Sequence, residues 1–139
     1  MQTTTYDKLT PVQLMELCVY REARGEGMIG KRGVAWVIQN RATHPGWWGH
    51  DIRGVVTKPF QFSSFNANDP NSNVWPADND PAFLDCVTAC GGVLAGTDTD
   101  PTSGANYYHD ISIETPLAWT NAGYILTLST GRLLFYREP

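Results

Sequence analysis

Thr10-Pro-Val-Gln-Leu-Met-Glu-Leu-Cys-Val-Tyr-Arg-Glu-Ala-Arg-Gly-Glu26 decides how this chain begins to fold. Thr10 is an N-cap residue, Pro11 suits the first helical position, and Gln13 completes a capping box. Gly25 supplies the stop. On a helical wheel Leu14, Cys18, Met15, Val19 and Val12 form one apolar arc, with Glu22 in its middle and Glu16 outside it. A carboxylate on a buried stripe is costly unless it is paired or protonated. Glu22 also falls in the last turn, where the helix dipole disfavours negative charge. Both effects raise a carboxyl pKa, which suits an acid that donates a proton near neutral pH. The competing reading is a buried ion pair with Arg41, which would lower that pKa; Glu26 is the other carboxylate Arg41 could take.

A second helix is expected from Gly27 or Met28 to about Arg41, closed by His44-Pro45-Gly46, with Arg41 on the same face as Val34, Val37 and Ile38. Residues 43–80 read as a long irregular segment, rich in Pro, Gly, Asn and Asp, with one short helix at Asp51–Thr57. A loop that long in a compact domain is usually functional. A third main helix starts at Asp80-Pro81 and ends near Gly96. Residues 105–109 look extended, and Tyr124–Leu128 and Arg132–Arg137 around Ser129-Thr-Gly131 read as a β-hairpin. The expected fold is α+β, mainly helical, in one domain spanning 1–139 with a small C-terminal hairpin and no separate binding module.

The chain has 139 residues, of which 42% are hydrophobic and 17% charged. That balance excludes intrinsic disorder and allows one sizeable core. Five Trp, six Tyr and five Phe exceed what a small core needs, so some are expected to line a groove. A net charge of -4 argues against a nucleic-acid partner. Charge is uneven, with the first 58 residues basic and the remainder acidic. Cys18, Cys86 and Cys90 make an odd number, and the Cys86/Cys90 spacing on a helix is poor for a bridge, so packed thiols made in a reducing compartment are expected. The start of the sequence lacks the basic and apolar regions of a signal peptide, and no apolar run approaches a membrane span. No stable membrane association is expected, and the chain is expected to act as a monomer.

His109 has no second His or Cys at ligand spacing, and Asp98 and Asp100 lack the Gly and closing Glu of a calcium loop, so neither a metal nor another cofactor is expected. No Gly-x-Ser-x-Gly elbow supports a serine-hydrolase reading of Ser63 or Ser64.

From Tyr20-Arg-Glu-Ala-Arg-Gly-Glu26 onward, the sequence resembles the SleB-like cell-wall hydrolases, the family of spore cortex-lytic enzymes. The resemblance continues through Gly33-Val-Ala-Trp-Val-Ile-Gln-Asn-Arg41 and Gly54-Val-Val-Thr-Lys-Pro-Phe-Gln-Phe-Ser63. It resumes at Asp100-Pro-Thr-Ser-Gly-Ala-Asn-Tyr-Tyr108 and fades through the hairpin. It implies a lysozyme-like fold and cleavage of the β-1,4 bond between N-acetylmuramic acid and N-acetylglucosamine in peptidoglycan, typically as a lytic transglycosylase. The first Glu of Glu-Ala-Arg-Gly-Glu is the family's catalytic acid and maps to Glu22, the residue singled out by the wheel. The expected partner is thus the bacterial glycan strand.

A transglycosylase needs one carboxyl, acting first as acid and then as base, whereas a hydrolytic muramidase commonly uses a second. Glu26 and the loop residues Asp51, Asp69, Asp78 and Asp110 stay open for that role, and none stands out. A non-catalytic peptidoglycan-binding module is a third reading. Gln61, Phe62 and Ser63 border the glycan groove in the resembled family, although Phe62 also suits the core. Tyr107 and Tyr108 alternate in an extended run, so one hydroxyl can reach Glu22 while the other ring packs. Trp119, in a Leu-Ala-Trp-Thr loop after Pro116, suits a sugar-stacking platform or core filling equally. Where many members carry Gly-Asn-His, this chain has Gly131-Arg-Leu133, so any polar role of that His is lost. Without a signal peptide or wall-binding module, a phage-type endolysin is the expected setting, made in the cytoplasm and acting on the wall after holin-dependent release.

Overall fold

The capping box forms as the sequence dictates: Thr10 Oγ1 accepts from Gln13 N at 3.1 Å, and Gln13 Oε1 accepts from Thr10 N at 2.9 Å. It opens α1 (Pro11–Ala23), whose Leu14, Leu17, Cys18 and Val19 are fully buried. The computed structural model describes residues 1–44 and 46–139. Pro45, expected to help close the second helix, lies outside the described residues. That helix, α2, runs Met28–Thr43 with His44 as C-cap. Asp51 caps the short α3 (Ile52–Thr57) by accepting from Gly54 N at 2.7 Å. Asp80 caps α4 (Pro81–Ala95), which ends on Gly96 at φ +71°, a left-handed position that glycine takes without a Cβ clash. Helix α1 packs against α2, α3 and α4 at once, which explains why burial extends beyond the single arc of its wheel.

Strands β1 (Tyr107–Asp110), β2 (Ile125–Thr130) and β3 (Leu133–Arg137) form one antiparallel sheet in the order β1-β3-β2. The expected hairpin is β2–β3, and the extended run before it joins the same sheet, with Tyr108 opposite Phe135. Phe135 is fully buried and docks the sheet on α2 where Gly33 leaves room for its ring. Burying that ring contributes about 2–3 kcal/mol. The Leu-Ala-Trp-Thr stretch, expected as a loop, is a short helix, α5 (Leu117–Asn121). The fold is therefore mostly helical with a small three-stranded sheet, as expected. Cys18, Cys86 and Cys90 are all free and buried. No helix among the described residues is long and apolar enough to cross a membrane.

Between α3 and α4 the chain makes two 3-10 turns, Ser63–Phe65 and Pro70–Asn73. Arg21 of α1 organises this segment. Its Nε donates to Val74 O at 3.0 Å, Nη1 to Ser64 O at 3.1 Å and Tyr6 Oη at 2.8 Å, and Nη2 to Ser72 O at 2.9 Å. The guanidinium also lies 4.9 Å from the Phe65 ring centroid and 4.8 Å from that of Trp75. An irregular segment thereby gains a fixed path past the end of α1, where Glu22 sits.

Candidate active site

Glu22, Arg41, Gln61, Phe62, Ser63, Tyr108, His109, Asp110, Ile113 and Leu133 line an open cleft of about 280 Å³. Helix α1 supplies Glu22, α2 supplies Arg41, the Arg21-anchored segment supplies Gln61–Ser63, and β1 supplies Tyr108–Asp110. The Tyr108 hydroxyl donates to Glu22 Oε1 at 2.5 Å. Burial pushes the Glu22 carboxyl above the ordinary carboxylate range. The Tyr108 hydrogen bond, the neighbouring Ser64 hydroxyl and the Arg21 charge oppose that rise, while the Asp69 carboxylate adds to it. Ser64 Oγ is fully enclosed and has no hydrogen-bond partner among the described residues. Burial holds the Tyr108 phenol well above its usual pKa, so it stays a donor.

Arg41 does not pair with Glu22 or Glu26: the ion pairs among the described residues do not include it. The Glu22 carboxyl consequently lacks the charge partner that would have kept its pKa low. Glu26 instead holds the β2–β3 turn, its Oε1 accepting from Arg132 N at 3.1 Å. It does not line the cleft.

The other expected site residues divide. Gln61, Ser63 and Tyr108 reach the cleft, and Phe62 both lines it and belongs to the core at 2% exposure. Tyr107 and Trp119 do not reach it. Tyr107 is buried, hydrogen-bonded through its hydroxyl to Glu138 Oε1 at 2.9 Å, and packed on Trp119, whose ring centroid lies 5.2 Å away. Trp119 also packs against His109, Tyr124 and Tyr136, so it fills a second aromatic cluster behind β1. His109 is tied at both ring nitrogens, to Asp110 O and Thr115 Oγ1. Among the described residues no group of three or more His, Cys, Asp or Glu could hold a metal ion.

Sequence reasoning passed over Ser64, whose only signal is its place in the Ser63-Ser64 doublet. It also left Asp110 among several loop carboxylates. Asp110 is the second carboxylate of the cleft, and it is heavily engaged: Arg132 Nη2 donates to Oδ1 at 2.9 Å and Ser112 N to Oδ1 at 2.8 Å. These contacts hold its pKa down at about 2.

A half-buried acid beside a tyrosine hydroxyl in an open cleft can protonate a leaving oxygen, and known relatives place the scaffold. The sequence profile described as Cell Wall Hydrolase matches residues 25–136. The chain belongs to that cell wall hydrolase family. Glu22 lies just ahead of the matched span. Spore cortex-lytic enzymes of Halalkalibacterium halodurans and Bacillus cereus are each 32% identical over 97 residues, 70% of this chain. The aligned part is 26% and 33% of their respective lengths, so the match reaches a third or less of these curated relatives. Among solved structures, the catalytic domain of the Bacillus cereus SleB protein superposes with a TM-score of 0.68 at 26% identity, covering 99% of this chain and 98% of that one. The catalytic domain of the germination-specific lytic transglycosylase SleB from Bacillus anthracis gives 0.67 at 26% identity, covering 96% and 100%. This member of the cell wall hydrolase family therefore has the fold of the SleB catalytic domains, which is lysozyme-like.

Proposed function

We propose that this cell wall hydrolase cleaves the β-1,4 bond between N-acetylmuramic acid and N-acetylglucosamine in peptidoglycan as a lytic transglycosylase, with Glu22 as its acid and base. The observation that carries the reading is the half-buried, raised-pKa Glu22 carboxyl, oriented by Tyr108, in the lining of the cleft. Protonated Glu22 gives its proton to the glycosidic oxygen, and the bond from that oxygen to C1 of the muramoyl sugar breaks. The C6 hydroxyl of the same sugar then forms a bond to C1 and returns its proton to the Glu22 carboxylate. The product is a 1,6-anhydro end, and no water is consumed.

The hydrolytic alternative needs a carboxylate to activate water or to attack C1. Asp110 is the cleft's other carboxylate, but its pKa of about 2 makes it a weak base. That favours transglycosylation. The three buried free thiols support synthesis in a reducing compartment, and an endolysin released to the wall is the setting we attach to the activity.

Purified sacculi incubated with the protein and analysed by mass spectrometry should show 1,6-anhydromuramoyl ends. Reducing ends alone would establish a muramidase instead. Glu22→Gln should abolish release by about 10²–10⁴-fold, the range for loss of a general acid. Full activity in that variant would overturn the assignment, and wild-type binding without cleavage would make the domain a glycan-binding module.

A further inference from the structure

The two buried arginines of this fold differ in one respect. Every guanidinium nitrogen of Arg21 has an acceptor. Arg41, 6% exposed, uses only its Nε, which donates to Asn106 O at 2.8 Å. Nη1 is enclosed without an acceptor among the described residues, and the ion pairs there do not include the guanidinium. The group is held in place by aromatic rings, 5.3 Å from the Phe62 centroid, 5.7 Å from Tyr107 and 5.9 Å from Trp48. It also lines the Glu22 cleft.

Enclosing a guanidinium nitrogen without an acceptor is costly, and an apolar side chain would pack there at less expense. The arrangement fits a donor fork whose acceptor arrives with the ligand. That acceptor must be an oxygen with strong negative character. A cation pressed against C1 would oppose the positive charge developing there, so the fork has to take a substituent rather than the ring. On a muramoyl sugar the suitable oxygens are acyl oxygens, from the acetamido group on C2 or the lactyl group on O3.

We propose that Arg41 is a substrate-binding residue whose Nη2, the guanidinium nitrogen left open to the cleft, takes an acyl oxygen of the muramoyl sugar and so sets its C1 beside Glu22. This rests on the peptidoglycan reading above.

The test compares wild type, Arg41→Lys and Arg41→Met on intact sacculi, de-N-acetylated glycan and amidase-stripped glycan bearing free lactyl carboxylates. On intact sacculi Arg41→Met should lose about 10- to 100-fold in kcat/KM, mainly through KM. Arg41→Lys should show a smaller loss with an unchanged pH profile, because the charge remains and only the fork is gone. If the acetamido oxygen is the acceptor, wild type and Arg41→Met converge on de-N-acetylated glycan. If the lactyl oxygen is, wild type gains on amidase-stripped glycan and Arg41→Met does not.

Equal losses on all three substrates would overturn the proposal, as would a substrate-independent shift of the pH profile, which marks an effect on Glu22 alone. Should the Arg41 variants fail to fold, Glu22→Gln is titrated with a muramoyl tetrasaccharide while the Arg41 guanidinium protons are followed by NMR. Slowed proton exchange on binding supports the contact, and unchanged exchange at saturation overturns it. Wild type that cleaves while Arg41→Met matches it on every substrate sinks this inference alone. A folded wild type that neither cleaves nor binds peptidoglycan sinks both it and the functional reading.

Discussion

The Tyr108 hydroxyl and the Glu22 carboxyl, 86 residues apart in the chain, meet at 2.5 Å. The contact joins the edge strand of the sheet to the last turn of the central helix. It therefore sets the direction of the half-buried Glu22 carboxyl and opposes the rise in pKa that desolvation causes.

Tyr108→Phe removes a donor that favours the carboxylate, so the Glu22 pKa should climb further. Glu22 acts in its protonated form, and the alkaline limb of kcat/KM reports the loss of that proton. The limb should move to higher pH in the variant, while the maximum rate falls about tenfold from poorer orientation. Muropeptide release measured from pH 4 to 9 checks both effects. An alkaline limb displaced to lower pH would contradict the geometry.

Glu22→Gln should stabilise the fold, and by an amount that depends on pH. Because burial raises the folded-state pKa, the native protein holds this proton more tightly than the unfolded chain does. Stability thus falls as pH rises from the unfolded carboxylate value, about 4.3, through the raised folded value. Gln keeps an acceptor for Tyr108 and removes the desolvated charge. The Tm gain of the variant should be small near pH 4 and grow to a few degrees by pH 8. A gain that is constant across that range would mean the carboxyl is not desolvated.

Local signals were the legible part of this sequence. The Thr10/Gln13 box, the Asp80-Pro81 start and Gly96 each act within a few residues, and α1 and α4 appear where they point. Glu22 was legible because one charge interrupted an apolar arc. The roles of Glu26, Tyr107 and Trp119 depend on which strand lies beside which helix, and no local pattern encodes that. Trp119 packs into a cluster assembled from β1, β3 and the chain just before β2, while Glu26 meets a turn more than a hundred residues away. The segment between α3 and α4 looked structureless because its order comes from Arg21 rather than from its own periodicity.

Arg21→Lys tests that dependence. Lysine keeps the charge but cannot reach Val74, Ser64, Ser72 and Tyr6 from one planar group. Leaving buried carbonyls without donors should cost about 2–4 kcal/mol. Hydrogen exchange should quicken across residues 63–75 before the α1–α4 core opens. Activity should fall with it, because Ser63 and Ser64 stand on the loosened segment. Uniform exchange across the chain would show that Arg21 supports the whole fold and not this segment.

Two helical glycines make opposite predictions from the same substitution. Alanine in place of glycine inside a helix gains about 1 kcal/mol when space permits. At Gly91 in α4 an added Cβ meets nothing within 4 Å, so Gly91→Ala should raise stability by about that much. At Gly33 in α2 the same Cβ would fall 2.6 Å from Phe135 Cζ, in the contact that seats the sheet. Phe135 is fully buried and has no room to retreat, so Gly33→Ala should cost about 1–3 kcal/mol by overpacking. Phe135 faces Tyr108 across the ladder, so a sheet pushed off α2 also draws the Tyr108 hydroxyl from Glu22. Gly33→Ala should accordingly lose activity as well as stability, whereas Gly91→Ala should keep wild-type rates. Urea denaturation and sacculus turnover on the two variants separate these outcomes, and a stable, fully active Gly33→Ala would refute the docking role of Phe135.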